Sequence, residues 1–514
     1  MVSREPTRGN DPLSAARTFT SSYINRTMNR KTELHRRDPK FAEAHTRNPM
    51  KPGFAPQMNG RIWVKSEAFL CVSSAGLCGV TPKAKFMTKP IRTVSFLMRG
   101  LPVFFGLGFT SALLPLSAAE APVTVTQITH GPSHHYFGYI GQSRTIPWSA
   151  DGRYILTLQV PFQDRMPGPD DPADVCLIDT RSNYALRVVD QSRGYNPQQG
   201  TMFYWNPAHP ETQFFFNDRD RKTGKVFTVL FDLSADGGKG KRIREYRFDD
   251  TPVANGGVAQ NGGYFLAINY ARMARLRPVT GYIGTTDWTA AVAAPADDGI
   301  HRVDIATGEK RLIVSFVQLR EAMRGTTARV DERHLFINHT LNNRNNDLIY
   351  FFCRADFKNR AEQVNVPFTV RPDGTGLTRH EIHIGGHPDW EWGSRLIGSH
   401  DGQQVVYDTA QKKIVESWGG SDVFPNPEGD VSLSPTGRWF VNSHRDGEHH
   451  HYTFLNRKTG RMVKSPPVFM SHWAKGELRL DPAPCWNRTG DAIVVPAIAP
   501  DGTRQMFIIA LNEG

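Results

Sequence analysis

The sequence has little cysteine, and this scarcity excludes a disulfide framework. Its 514 residues include five cysteines, which are Cys71, Cys78, Cys176, Cys353 and Cys485. An odd and widely spaced set cannot supply the paired bridges that hold small secreted domains together. We therefore interpret the last three as small buried apolar residues, with at most one bridge among them.

An excess of charge is also missing from most of the chain, although the formal net charge is +12. Residues 1–86 carry 15 basic and 6 acidic side chains, residues 87–120 carry 3 and 1, and residues 121–514 carry 44 and 43. A nucleic-acid-binding domain needs a basic surface, so the near neutrality of residues 121–514 predicts no nucleic-acid partner.

The basic residues precede a segment that is typical of a secretory signal peptide. From Met87 the chain reads MTKPIRTVSFLMRGLPVFFGLGFTSALLPLSAAEA, with a basic start, an apolar run and small residues before Glu120. We predict that residues 87–120 are a signal peptide. Residues 1–86 are then a basic extension, either disordered or the product of a mis-assigned start.

The apolar run has a second interpretation as a short membrane anchor, since its length is near the lower limit for spanning a bilayer. Both interpretations place the working domain outside the cytoplasm, in the periplasm or secreted. Cleavage of a signal peptide leaves no stable membrane insertion.

Long amphipathic helical patterns are scarce after residue 121, with VSFVQLREAM at 314–323 as the exception. Short apolar or alternating runs dominate instead, for example RYILTLQV, TQFFFND, YFLAINY, DLIYFFCR and RWFVNSH. Turn signals such as DG, GG, TG and NP fall between them. Short runs separated by turns indicate an all-β protein.

The runs repeat as a unit, in which a loop resembling Ser/Asn-Pro-x-Gly precedes each group of strands. Seven copies are visible between residues 121 and 514, at about 56 residues each, which is suitable for four-stranded blades with some long loops. We predict a seven-bladed β-propeller over 121–514. The strand VTVTQITH at 123–130 would complete the last blade and close the ring, which removes exposed sheet edges.

Equivalent positions in successive blades predict which side chains enter the central channel. Counting back four residues from the turn that ends each inner strand gives His339, His387, Asp430 and Ala483, and Asp481 lies two residues before Ala483. Imidazole and carboxylate groups that converge in this way could bind a divalent metal such as manganese. The alternative for each is a hydrogen bond to the neighbouring blade.

The segments GGHPDWEWG and DPAPCWNRTGD, together with the run of blades, resemble the oligogalacturonate lyases and their secreted bacterial relatives. The resemblance implies a seven-bladed propeller that cleaves acidic sugar chains by β-elimination, with a histidine base and a manganese ion bound mainly by histidines. It assigns His339, in INHTLNN, as the base and His387, in GGHPDW, as a metal ligand. HIGGHPDWEW would thus form part of the rim of the site, with the glycine pair letting the backbone turn.

This sequence departs from the lyase pattern in the last blade. LRLDPAPCWN keeps Asp481 but has Ala483 where a ligating histidine is expected. The predicted metal site, His387 with Asp430 and Asp481, is therefore weaker than in the family, remade with Asp430, or absent. No organic cofactor is predicted.

A second group of polar residues lies in the first blades. Propeller lyases that act on ulvan are similar in composition, with His and Tyr for proton transfer and Arg for the uronate. By this similarity His135 and Tyr204 are catalytic candidates, whereas the substrate-binding candidates are His134, Arg219, Arg272 and Arg275. The alternative is that the aromatic residues fill blade cores and the arginines cap strand ends. The triplet His449-His450-His451 is predicted to lie in a surface loop.

The sequence therefore favours an exported lyase that cleaves uronate-containing oligosaccharides, with an acidic oligosaccharide as its substrate. The main alternative is a non-catalytic periplasmic propeller that binds or scaffolds other molecules, because propellers often serve as binding platforms. A propeller peptidase is not favoured, since no G-x-S-x-G segment is visible. The oligomeric state is left open.

Overall fold

Short strands dominate the chain, as the apolar runs predict. The computed structural model describes residues 122–138, 145–471, 473 and 476–512, all within the chain unit Thr110–Gly514. The predicted signal peptide and the extension before it lie outside the described residues. Within the described ranges, no helix has the length and hydrophobicity needed to cross a bilayer.

Seven antiparallel sheets follow one another along the chain, so the prediction of a seven-bladed propeller is confirmed. Blade 1 contains β2 (His134–Tyr136), β3 (Tyr154–Val160), β4 (Ala173–Asp179) and β5 (Ala185–Ser192). Blade 2 contains β6 (Tyr204–Trp205), β7 (Gln213–Arg219), β8 (Val226–Asp232) and β9 (Lys241–Tyr246). Blade 3 contains β10 (Ala254–Val258), β11 (Tyr264–Ile268), β12 (Gly299–Asp304) and β13 (Lys310–Ser315).

The remaining blades follow the same order from the inner strand outwards. Blade 4 contains β14 (Phe336–Asn342), β15 (Ile349–Ala355), β16 (Val364–Val370) and β17 (Thr378–Arg379). Blade 5 contains β18 (Gly385–Trp390), β19 (Arg395–His400), β20 (Gln403–Asp408) and β21 (Lys413–Gly419). Blade 6 contains β22 (Val431–Leu433), β23 (Trp439–Asp446), β24 (His449–Asn456) and β25 (Met462–Lys464), and β26 (Val468–Phe469) also pairs with β24.

The last blade joins the two ends of the propeller, as predicted. It contains β27 (Cys485–Trp486), β28 (Ala492–Ile498), β29 (Arg504–Leu511) and, as its outer strand, β1 (Val123–Gln127). The register pairs Val123 with Leu511 and Gln127 with Phe507. Because the outer strand comes from the start of the propeller, the ring is closed by backbone hydrogen bonds.

The hydrophobic core lies between neighbouring blades. Strands such as β7, β11 and β15 are buried along almost their whole length, and their apolar side chains form clusters with those of the adjacent blades. The outer strand β9 (KRIREY) instead alternates exposed and half-buried residues until Tyr246. A strand that is covered on both faces is uniformly apolar, whereas an outer strand tolerates charge on its exposed face.

Two α-helices interrupt the strand pattern. Helix α1 (Tyr270–Leu276) lies between β11 and β12, and α2 (Phe316–Met323) follows β13. Helix α2 matches the one helical pattern that the sequence contains, and Ser315 and Gln318 form a capping box at its start. Reciprocal bonds of this kind satisfy backbone donors that a helix N-terminus otherwise leaves unpaired.

Two smaller predictions have different outcomes. Cys176, Cys353 and Cys485 are buried and free, which confirms their interpretation as small apolar residues. The prediction of a surface loop at the histidine triplet is wrong, because His449, His450 and His451 begin strand β24. The side chains alternate along the strand, so that His450 is buried and its two neighbours are half-buried.

Candidate functional site

The inner-strand positions that the repeat aligns share an unusual backbone conformation. Met202, His339, His387 and Ala483 each have φ between 36° and 60°, and each lies four residues before the turn that ends its inner strand. Residues with a side chain rarely adopt this left-handed region, and it costs about 1–3 kcal/mol unless the surroundings enforce it. Four blades therefore present an equivalent strained position to the channel.

His387 is held in this conformation by close packing of the backbone. Gly386, which precedes it, has a φ of 70°, and a Cβ at this position would lie 2.7 Å from the carbonyl oxygen of Gly429. Only glycine fits both conditions. The expectation that the glycine pair turns the chain before His387 is confirmed at Gly386.

A histidine–aspartate pair joins blades 5 and 6. Nδ1 of His387 donates to Oδ1 of Asp430 at 2.5 Å, and the backbone N–H of Ala483 donates to Oδ2 at 3.0 Å. Burial raises the pKa of Asp430, but the His387 imidazole and the Ala483 N–H outweigh it, so the net pKa is lowered. Asp430 is therefore a carboxylate that fixes the tautomer and orientation of His387.

Asp481 lies beside this pair, and its pKa is shifted in the direction opposite to that of Asp430. Its Oδ1 accepts from Nε of Arg479 at 2.7 Å, while Oδ2 is buried without a hydrogen-bond partner in the described part of the chain. Burial raises the pKa of Asp481; Arg479 opposes this effect and the Asp430 carboxylate adds to it. Two neighbouring carboxyl groups with opposite shifts are typical of sites that exchange protons.

His339 completes the group of converging side chains. Its ring centroid lies 5.3 Å from that of His387 and 6.2 Å from that of Phe352. Asn338 hydrogen-bonds to Nε2 of His339 at 3.3 Å and accepts from the side chain of Gln199 at 3.0 Å. We call His339, His387, Asp430 and Asp481 the channel-mouth site.

The predicted metal ligands in this site do not form a metal-binding set. Both carboxylate oxygens of Asp430 accept hydrogen bonds, Asp481 is paired with Arg479, and Ala483 offers only a methyl group. Within the described ranges, no three His, Cys, Asp or Glu side chains are grouped so that they could hold a metal ion. The donor set therefore does not fit manganese in the way that the lyase resemblance implies.

Positive charge comes instead from two arginines that the inner-strand repeat does not select. The guanidinium carbon of Arg277 lies 4.6 Å from the ring centroid of Phe357, and that of Arg354 lies 5.1 Å from the same centroid. Arg354 also lies 4.7 Å from the ring of Phe352, which contacts His339. The two aromatic rings thus connect both guanidinium groups to the channel-mouth site.

An open groove of about 800 Å³ runs beside Arg277. It is lined by the turn after α1, by Phe357 and Lys358, and by the segment that carries Glu477 and Arg479. Arg479, which lines the groove, forms an ion pair with Asp481, so the groove adjoins the channel-mouth site. A groove with an excess of basic side chains is suited to an extended anionic ligand.

The candidate residues of blade 1 contact blade 7 rather than the channel-mouth site. Nδ1 of His135 is 2.8 Å from Oε1 of Gln505, and Nδ1 of His134 accepts from the backbone N–H of Arg504 at 3.1 Å. Burial lowers the pKa of both histidines. Tyr204 is buried in the core, which raises the pKa of its hydroxyl well above the usual range.

The three arginine candidates have partners within the protein. Arg219 donates to the carbonyl of Pro169, and Arg275 forms an ion pair with Asp287 at 2.8 Å. Arg272 is buried and donates to the carbonyls of Thr289, Val292 and Ala293, which lie between α1 and β12, and to that of Leu335, just before β14. These contacts give Arg272 a positioning role, and its use as a substrate ligand stays a prediction.

A lysine in place of Arg272 is expected to lower the free energy of unfolding by about 2 kcal/mol or more, because several buried carbonyls lose their donor. Chemical denaturation of the Arg272→Lys variant would measure this loss. Arg302→Lys is the matched control, since Arg302 stacks on Tyr264 and belongs to the third strand of blade 3. Equal stability of the two variants would contradict the positioning role of Arg272.

These features define the chain as a seven-bladed β-propeller with a polar channel mouth. No protein-family model matches the chain, and no curated protein matches it. Among solved structures, its fold is similar to that of an oligogalacturonate lyase in complex with manganese. The TM-score is 0.51 at 15% identity, over 77% of this chain and 95% of that one.

Weaker likenesses have TM-scores below 0.5. A TolB from Acinetobacter baumannii gives 0.32 at 15% identity, over 71% of this chain and 82% of that one. The β-propeller domain of the Trilobed protease from Pyrococcus furiosus gives 0.37 at 12% identity, over 74% and 97%. At these identities the comparisons show the fold, and the site has to be argued from its own residues.

Proposed function

We propose that this protein is an exported lyase that cleaves uronate-containing oligosaccharides by β-elimination at the channel-mouth site. The observation that carries the proposal is the convergence of two imidazoles, His339 and His387, with the Asp430 and Asp481 carboxyl groups at one mouth. The likeness in fold to an oligogalacturonate lyase supports the same reaction class.

The reaction needs one proton removed and one returned. A base takes the proton from C5 of the uronate, next to its carboxylate, and the electron pair of that C–H bond forms the C4–C5 double bond. The C4–O bond breaks with its own electron pair, and the leaving oxygen receives a proton. Atoms and electrons balance without an oxidant, a reductant or water.

The site offers a group for each proton transfer. We assign the abstraction of the C5 proton to His339, which lies on the inner strand of blade 4. We assign the return of a proton to the leaving oxygen to His387, whose ring the Asp430 carboxylate holds in place. Positioned acids and bases of this kind typically contribute factors of 10²–10⁴ each.

The test is a spectrophotometric assay of the full chain. The substrates are pectate, alginate and glucuronate-containing polymers and, separately, the oligomers derived from each polymer. We expect the ultraviolet absorbance of the unsaturated product to rise, and the rise to fall below detection in His339→Ala. His209→Ala, which replaces an exposed histidine on the loop between β6 and β7, should retain the wild-type rate. Loss of activity in His135→Ala, together with retained activity in His339→Ala, would move the chemistry to blade 1.

Manganese enters this test as a variable. It is named in the similar lyase structure, and the assay is run with added manganese and after treatment with a chelator. No step of the proposed mechanism uses a metal.

Ala483 favours a second function, that of a non-catalytic binding propeller. It removes the histidine that the lyase resemblance implies, while leaving a polar mouth that could bind a ligand. Absence of product on every polymer, with retained binding of an acidic oligosaccharide, would support this second function and reject the first.

The proposal includes export, on the basis of the signal-peptide pattern from Met87 to Ala119. A fusion of residues 87–120 to a reporter that is active only outside the cytoplasm would test it. A reporter that stays inactive would contradict export from Met87.

A further inference from the structure

We propose that Arg277 and Arg354, rather than a metal ion, bind and neutralise the uronate carboxylate at this mouth. The inference rests on the proposed function, because it names the group that stabilises the charge formed during β-elimination. Removal of the C5 proton places negative charge on the carboxylate, and the barrier is prohibitive unless a cation is already positioned there. The predicted metal ligands do not supply that cation, so another group must.

Neither guanidinium group forms an ion pair in the part of the chain that the structure describes. No carboxylate oxygen lies within 4 Å of the Arg277 or Arg354 side chain among the described residues, whereas neighbouring Arg479 is paired with Asp481. The side chain of Arg277 makes no hydrogen bond in this part of the chain. Arg354 donates only from Nε, to Oδ1 of Asn365 at 2.8 Å, so its two terminal nitrogens are available to a ligand.

The pKa values of the two guanidinium groups also indicate that their charges are not neutralised. Burial, followed by the charge of Arg479, lowers the pKa of Arg277 to about 10. Burial, followed by the charge of Arg277, lowers the pKa of Arg354 to about 9. Guanidinium groups remain protonated in proteins, so these shifts express mainly the cost of burying two cations, which the Asp481 and Glu477 carboxylates offset only in part at Arg277.

A carboxylate would remove that cost and fits the geometry. The two guanidinium groups stack on one ring, Phe357, which holds them at a fixed separation without neutralising them. Arginine binds carboxylates through two parallel N–H···O bonds, and the bonds strengthen where water is excluded. The aromatic rings of Phe352 and Phe357 provide such an environment beside His339.

The test measures binding separately from turnover. Saturated uronate trisaccharides from the polymers of the assay are titrated calorimetrically into chelator-treated full chain that carries His339→Ala, which stops turnover, alongside the same trisaccharides with methyl-esterified carboxyl groups. We expect this parent variant to bind at least one acid at least tenfold more tightly than its ester. In the same background, Arg277→Gln and Arg354→Gln should each lose that preference, while Arg302→Gln keeps it.

Two further measurements keep the result interpretable. Arg277→Lys and Arg354→Lys preserve the charge but lose the planar fork, so we expect them to retain a reduced preference of several-fold, even if a glutamine variant does not fold. Elemental analysis of the treated protein checks that no metal remains. An acid preference that appears only with added manganese, that survives both glutamine variants, or that is absent from the His339→Ala parent would overturn the inference.

Binding and product formation together distinguish failure of the arginine site from failure of the proposed lyase activity. Acid-selective binding that depends on the arginines, without any unsaturated product, supports the arginine site and rejects the lyase. Manganese-dependent product formation that both arginine variants retain supports the lyase and rejects the arginine site.

Discussion

Replacing Asp430 with asparagine is expected to lower the kcat of uronate cleavage by about two to four orders of magnitude, with little change in KM. The carboxylate accepts from Nδ1 of His387 through one oxygen and from the N–H of Ala483 through the other. An amide has only one acceptor atom, so its NH₂ group must face one of these two donors. If the NH₂ group faces His387, the ring loses its orienting bond or adopts the opposite tautomer. If it faces Ala483, the backbone N–H loses its acceptor and His387 keeps only a neutral acceptor in place of a carboxylate.

The kinetic constants of Asp430→Asn would be measured together with the nitrogen NMR signals of the histidine ring, which report the tautomer directly. A merely structural aspartate would change stability without changing the tautomer of His387. Asp298→Asn is the matched control, because Asp298 is also buried and accepts from Asn269 and Gly299 but from no histidine. Wild-type kcat in Asp430→Asn would contradict the role of His387 as the proton donor.

The repeat explains why part of the site could be predicted from the sequence. In a closed propeller the inner strands are equivalent, so a fixed distance from the turn defines a position on the channel wall. That distance selected His339, His387 and Asp430, and the structure brings these three together. It also selected Ala483, which shares the left-handed backbone conformation of the two histidines.

The arginines could not be found in this way because they reach the mouth by other routes. Arg277 follows α1 in the insertion between β11 and β12, and Arg354 is near the end of a second strand, β15. Their position depends on Phe357, which follows β15 and stacks with both. Contacts among side chains of such different origin leave no periodic signal in the sequence.

The histidine triplet shows that a turn signal in the sequence does not fix the residue at which the next strand begins. The motif Asp446-Gly447 indicates a hairpin, but the sequence does not show that pairing begins immediately after it. The structure pairs His449 with Asp446 and His451 with His444, and β26 covers the same end of β24. A longer hairpin therefore buries His450, which a loop would have left exposed.

Acidification is expected to destabilise the propeller between pH 6.5 and about pH 4, because three histidines are buried in neutral form. Burial lowers the pKa of His301 to about 3 and those of His380 and His450 to about 4, from the usual 6.5. In this range the unfolded chain binds protons that the folded chain does not, so stability falls as pH falls. Each pKa unit corresponds to about 1.4 kcal/mol, so each histidine could contribute on the order of 3 kcal/mol.

His380 isolates this effect, since both its ring nitrogens have neutral partners. It contacts the hydroxyl of Thr369 at 2.8 Å and that of Tyr407 at 2.9 Å. Glutamine can form comparable hydrogen bonds but cannot be protonated. In His380→Gln, the slope of the unfolding free energy against pH should fall by up to about 1.4 kcal/mol per pH unit. Denaturant titrations from pH 4 to pH 7 would measure it, with His209→Gln as the exposed control, and an unchanged slope in His380→Gln would show that His380 is protonated in the folded protein.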